Sequence, residues 1–212
     1  MLDEKLQNYI IDLCGERPPL FLEMEEYAKR HHVPIMELSA METMLQILKI
    51  KDPETVFEIG TAIGYSALRM AFALPKSKII TIEREEERHE MAKYFVDKAE
   101  KNGQILLIKG DALDERERAS AFSPFDVVFI DAAKGQYKKF FDLYSPLIPS
   151  GGLVITDNVL FRGLVYNGQE TSKRHQKLAL KINEFNRWLV SHPQFETVII
   201  PVGDGIAVSR KR

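Results

Sequence analysis

The residues best suited to chemistry sit at the ends of short apolar runs. Two such runs end in Ile130-Asp131 and Thr156-Asp157-Asn158. If they are neighbouring strands, two carboxylates and an amide oxygen converge at one sheet edge. A hard, all-oxygen set suits Mg²⁺ or Mn²⁺ and leaves positions for water or substrate. No His or Cys accompanies them, so zinc is not expected. The plainer role for Asp and Asn at such turns is helix capping. Lys134 follows three residues after Asp131. Beside a metal and a second cation it would lose its proton more easily and could serve as a general base on a hydroxyl. Its plainer role is a solvated surface lysine.

Three further stretches carry the signs of a nucleotide-like ligand. Glu58-Ile59-Gly60-Thr61-Ala62-Ile63-Gly64 runs from a strand through glycines into a helix. Such a turn lets a ligand approach the backbone and offers free N–H groups at the helix start. A dinucleotide turn would read G-x-G-x-x-G. Here Ala62 stands at the second glycine, and Glu58 precedes the turn. An acid there disfavours phosphate and suits a ligand carrying an ammonium group. Glu83 ends the next strand and is placed to accept hydrogen bonds from ribose hydroxyls. Gly110-Asp111 ends the third, where Asp111 could accept from an adenine amino group or cap the next helix.

These residues need a scaffold that brings strand ends together, and the pattern supplies one. Apolar, β-rich runs occur at 56–59, 78–82, 105–109, 126–130, 153–156, 197–201 and 206–209. Helical stretches at 65–74, 85–101, 113–121, 136–144 and 174–191 separate most of them. Strands apolar on both faces, alternating with helices, imply a mostly parallel sheet covered on both sides. The last two runs are joined only by Val202-Gly203-Asp204-Gly205, which reads as a tight hairpin. The seventh strand is therefore expected to run antiparallel. The first fifty residues read as helical. Residues 36–49 carry Leu38, Met41, Leu45 and Leu48 on one face, with Pro34 just ahead.

Composition narrows the class. With 212 residues, 45% hydrophobic and 28% charged, the chain is an ordinary globular one. It is expected to form a single domain over 1–212, with 1–50 as a helical extension packed on it. Cys14 is the only cysteine, which rules out an internal disulfide. No apolar run reaches the roughly 20 residues that span a bilayer, and the acidic MLDEKLQNYIIDL start does not read as a signal peptide. A soluble cytoplasmic protein without membrane partners is expected. Net charge is −2, but residues 158–212 carry nine Lys and Arg against four acids, hence +5 against −7 elsewhere. That asymmetry permits an anionic partner, and equally a solvated helix.

Taken together, the motifs resemble class I methyltransferases that use S-adenosylmethionine. The resemblance is narrower to the metal-dependent catechol and caffeoyl-CoA O-methyltransferase family. It rests on EIGTAIGYS (58–66), TIE (81–83), GDA (110–112), IDAAKGQY (130–137) and TDN (156–158). HHVPIMEL (31–38), IDAAKGQYKKFF (130–141), TDNVLFRGLV (156–165) and PVGDGIAVSRKR (201–212) are similar to one bacterial branch, the tRNA 5-hydroxyuridine methyltransferases. The resemblance implies a Rossmann-like α/β fold, a seven-stranded sheet with its last strand antiparallel, and a homodimer. It implies that Met36, Glu58, Gly60, Ser66, Glu83, Gly110, Asp111 and Asp131 meet S-adenosylmethionine. It implies that Asp131, Asp157 and Asn158 hold Mg²⁺, with Lys134 and Asp131 catalytic. The acceptor it implies is 5-hydroxyuridine in the tRNA anticodon, made into 5-methoxyuridine at the wobble position. The alternative acceptor is a small catechol or caffeoyl-CoA-like phenol. Both present two adjacent oxygens that one ion can chelate. For tRNA, Arg162, Lys173, Arg174, Lys177 and 210–212 would meet phosphates.

Overall fold

The computed structural model describes residues 4–167 and 172–212. Glu170, one of the acids in the charge count above, lies outside the described residues. Three helices come first: α1 (Glu4–Asp12), α2 (Pro19–His31) and α3 (Leu38–Lys51). Then β1 (Thr55–Ile59), α4 (Tyr65–Ala73), β2 (Lys78–Glu83), α5 (Glu86–Lys98), β3 (Ile105–Lys109), α6 (Arg116–Ser120) and β4 (Val127–Ile130) alternate. They are followed by α7 (Tyr137–Tyr144), β5 (Leu153–Thr156), α8 (Leu164–Asn167), α9 (Lys173–Val190), β6 (Phe195–Ile200) and β7 (Ile206–Lys211).

The strands form one seven-stranded sheet in the order β3-β2-β1-β4-β5-β7-β6. Strands β3, β2, β1, β4 and β5 pair in parallel. Strand β7 pairs antiparallel with both β5 and β6, as the hairpin predicts. This is a Rossmann-like α/β arrangement whose sheet ends in an antiparallel hairpin. The chain order reverses between β1 and β4. In open α/β sheets a crevice opens at that point, beyond the carboxyl ends of the strands.

Burial on both faces explains the apolar runs. In β4, Val127 and Phe129 join the core beneath α2, α3 and α4, while Val128 and Ile130 join the opposite core under α7 and α9. Met41, Leu45 and Leu48 of α3 are buried in the first core, as their spacing predicts. The helix begins at Leu38 rather than Met36. Met36 and Pro34 lie in the extended segment ahead of it, and that places Met36 on the crevice. Helix α6 is shorter than the expected 113–121. The Asp111 side chain accepts from Leu113 N at 2.9 Å, which ties 111–115 into a turn first. Among the described residues no helix is long and apolar enough to cross a membrane.

Candidate active site

The glycine turn is built by close backbone approach. Gly60 has φ +103°, and a Cβ placed on it would lie 2.1 Å from the Asp131 carbonyl oxygen. Only glycine fits, so the end of β1 can press against the end of β4. Gly60 N and Thr61 N both donate to Ile82 O, at 3.0 and 3.2 Å. Ala62 N donates to Glu83 Oε2 at 2.8 Å, and Glu85 N to Glu83 Oε1 at 2.9 Å. Helix α5 starts only at Glu86, so Glu83 is the tip of β2 and not a helix residue. Each Glu83 oxygen has already taken one N–H and keeps a further lone pair. At the tip of β3, Asp111 Oδ1 holds Leu113 N, and Oδ2 faces Arg84 Nη1 at 3.6 Å.

Glu58 and Ser66 are placed differently from the direct ligand contacts expected of them. Glu58 is fully buried and Ser66 nearly so, and neither lines the crevice. Ser66 Oγ donates to Glu58 Oε1, Thr81 Oγ1 bonds Oε2 at 2.5 Å, and Thr81 Oγ1 also meets Thr61 Oγ1 at 2.5 Å. The carboxyl group is thus consumed beneath the glycine turn, joining β1, β2 and the start of α4. Burial pushes it up to about 7, against the pull of the Ser66 and Thr81 hydroxyls.

Across the switch point, the parallel ladder runs one residue past the strands. Asp131 N donates to Ile59 O at 3.0 Å, and Asp157 N to Ile130 O at 3.1 Å. Two acids therefore stand side by side at neighbouring strand ends. Asn158 takes φ +57°, which turns its amide back toward them. Its Nδ2 donates to Asp157 Oδ2 at 3.1 Å, and its Oδ1 accepts from Lys134 Nζ. Tyr137, fully buried, donates its phenol O–H to Asp157 O at 2.9 Å. Asp157 is 1% exposed, and its Oδ1 has no hydrogen-bond partner among the described residues. Burial raises both acids, and Asp131 raises Asp157 further. A buried, unpartnered carboxylate oxygen beside a second carboxylate is a cost that a cation removes. The donor set fits a hard divalent ion. Among the described residues no group of three His, Cys, Asp or Glu side chains is placed to hold a metal ion, and the third side chain beside the two acids is the Asn158 amide.

A further part of the site lies in the β6–β7 turn, which the sequence suggested only as a hairpin. Three loop residues bond to it. Val159 N donates to Gly205 O at 3.0 Å, Leu160 N to Asp204 O at 2.9 Å, and Arg162 N to Asp204 Oδ1. Phe161 and Arg162 both have positive φ, of 46° and 54°. The turn holds this strained loop in place. Two glycines in PVGDGIAVSRKR were the available signal. A Cβ on Gly205 would strike Leu160 at 2.4 Å, and one on Gly203 would strike Ala40 at 2.8 Å.

All of this surrounds one cavity of about 860 Å³. Met36, Gly60, Glu83, Gly110, Asp111, Asp131, Lys134, Asp157 and Asn158 line it together, with Asp204 added by the structure. A strand-end acid, a glycine turn and an oxygen cluster thus share one crevice. The family model for O-methyltransferases matches residues 12–212.

The chain belongs to the O-methyltransferase family.

Among the relatives of this O-methyltransferase is caffeoyl-CoA O-methyltransferase 1 of Eucalyptus globulus, 31% identical over 98% of this chain and 89% of the relative. Caffeoyl-CoA O-methyltransferase of Petroselinum crispum is 29% identical, over 98% of this chain and 91% of its own length. A Staphylococcus aureus structure, provisionally assigned as a caffeoyl-CoA O-methyltransferase, superposes with a TM-score of 0.93 at 34% identity, covering 99% of this chain and 100% of that one. An O-methyltransferase from Bacillus cereus, solved in complex with SAH, shares the fold with a TM-score of 0.83 at 22% identity, over 98% and 97% of the two chains.

Proposed function

We propose that this O-methyltransferase moves the methyl group of S-adenosylmethionine to one of two adjacent oxygens on its acceptor, with Mg²⁺ or Mn²⁺ held by Asp131, Asp157 and Asn158. The unpartnered, buried Oδ1 of Asp157 carries this reading. Bound there, the ion would lower the pKa of the acceptor hydroxyl and fix the oxygen pair. The protein's own residues do the rest. Gly60 and Gly110 let the chain pack closely against Asp131 and Glu115, and so shape the cavity floor on which the donor lies. The free lone pairs of Glu83 accept ribose hydroxyls, and Asp111 accepts the adenine amino group. Met36 closes the wall above. Lys134, at the oxygen cluster through Asn158, takes the acceptor's proton. Displacement at the methyl carbon then needs little beyond alignment of the two reactants. Glu58 and Ser66 act from below, by shaping the turn.

A small catechol or caffeoyl-CoA-like phenol is the acceptor that the relatives' names favour. A second reading, 5-hydroxyuridine in tRNA, has its own observation. Arg84, Arg88 and Arg162 line the cavity, and Lys173, Arg174 and Lys177 are exposed on α9. The 5-hydroxyl and 4-carbonyl oxygens of that base form the same adjacent pair. Methyl transfer to catechol and to tRNA carrying 5-hydroxyuridine, measured side by side by mass spectrometry, separates the two. Product on catechol with tRNA untouched supports the first. Product on tRNA with catechol turned over poorly supports the second. No product on either, with Mg²⁺ present, overturns the proposal. The homodimer is part of the same proposal. Leu6, Tyr9 and Leu13 around α1 are exposed apolar side chains for a second copy to cover.

A further inference from the structure

The cavity has a second polar edge that the transfer chemistry does not use. Glu37 and Asp204 both line it, as does Arg162, whose backbone N–H bonds Asp204 Oδ1. Their segments touch: a Cβ on Gly203 would lie 3.3 Å from Glu37 Oε2. This edge is close to the oxygen cluster, since Leu160 N, two residues past Asn158, donates to Asp204 O at 2.9 Å, and Asp204 lines the same cavity as Asp157 and Asn158. The same cavity also has apolar lining from Pro34, Ile35, Met36, Phe161 and Leu164, beside the cationic Arg162. A flat ring with its reacting oxygens at Asp157 and Asn158 would thus lie between apolar walls and present another edge to two carboxylates.

Two neighbouring acids oppose each other's ionisation. Burial raises Glu37 and Asp204, and Asp204 raises Glu37 further; Arg162 offsets part of this for both, and Lys134 part of it for Asp204. An N–H or O–H donor on the ligand relieves the repulsion. A ligand carboxylate or phosphate at that position adds a third negative charge. Hydrogen bonds to charged groups are the strong ones, so the discrimination is roughly tenfold or more.

We propose that Glu37 and Asp204 are specificity-determining residues, which accept hydrogen bonds from the outer edge of the acceptor's ring and select rings that carry an N–H or O–H donor at that edge over rings that carry a carboxylate there, whatever charge the acceptor bears elsewhere. This rests on the O-methyl transfer proposed above. The test uses one catechol in two forms, dihydroxybenzamide and dihydroxybenzoate, with plain catechol as reference. The wild-type enzyme is expected to favour the amide over the acid by about tenfold or more in kcat/KM. In Asp204→Asn and Glu37→Gln that ratio shrinks, chiefly through KM, and it shrinks furthest in the double variant. Both variants keep their S-adenosylhomocysteine affinity, which shows that the fold is intact. If catechol is methylated but amide and acid behave alike, or the preference survives both substitutions, or neither derivative is accepted, the selection proposal fails and the transfer reading stands. If no phenol is methylated or bound, the phenol reading and this proposal fall together.

Discussion

Gly60 and Asp131 touch through their backbones. A single added carbon on Gly60 would stand 2.1 Å from the Asp131 carbonyl oxygen. The donor turn and the oxygen cluster are therefore one mechanical unit, joined across the switch point of the sheet.

Gly60→Ala is expected to damage both halves of that unit. It forces alanine to φ +103° and into the Asp131 backbone. The two penalties together come to about 3 kcal/mol. That lowers Tm by roughly 6–12 °C. Calorimetric melting, with a parallel S-adenosylhomocysteine titration, checks it. Unchanged stability and affinity would show that the strand ends separate freely.

Glu58 makes stability pH-dependent in a direction unusual for a carboxyl group. Its folded value of about 7 lies above the ordinary 4.5. The native state then binds the extra proton between these values, so stability falls as pH rises from about 4.5 to 7 and is level above that. The loss amounts to about 3 kcal/mol. Denaturant unfolding of wild type and Glu58→Gln across this range is the check. The difference between the two should shift steadily toward the variant as pH rises, and a pH-independent difference contradicts the assignment.

Tyr137→Phe removes the donor to the Asp157 carbonyl, 2.9 Å away in a fully buried place. The expected cost is about 1–3 kcal/mol. The turn carrying Asp157 and Asn158 also loosens, and residues that orient ligands typically contribute roughly tenfold or more in metal affinity. Mn²⁺ binding followed by magnetic resonance reads this apart from turnover. Equal Mn²⁺ affinity in variant and wild type would remove the tyrosine from the site.

Lys134→Gln keeps a donor for Asn158 Oδ1 but removes the proton acceptor. Turnover is expected to fall by roughly 10²–10⁴. S-adenosylhomocysteine affinity should change little. A variant with a near-normal rate would assign the proton to solvent.

Much of this architecture was legible because it is local. Strands covered on both faces are written as continuous apolar runs, and β4 shows why, with Val127 and Val128 entering opposite cores. Acids directly after such runs had to gather at one sheet edge. What was not legible depends on distant partners. Glu58 and Ser66 stand in the glycine-turn motif, yet they pair with each other beneath the turn, because Thr81 and Ser66 satisfy the carboxyl group there. Asp204 read as a hairpin residue, since its bond to Arg162 spans 42 positions. Met36 stood at the start of the helical stretch 36–49 because Pro34 just ahead marks a helix start, although the helix begins two residues later.

Asp157 offers the most direct test of the central claim. Methyl transfer to whichever acceptor is used, catechol or tRNA, would be followed with and without a chelator, in wild type and Asp157→Asn. S-adenosylhomocysteine binding would be measured alongside by calorimetry. The expected result is transfer that stops with the chelator, returns with Mg²⁺, and is lost in the variant while S-adenosylhomocysteine still binds. Full transfer in the presence of chelator, or by Asp157→Asn, would contradict the account.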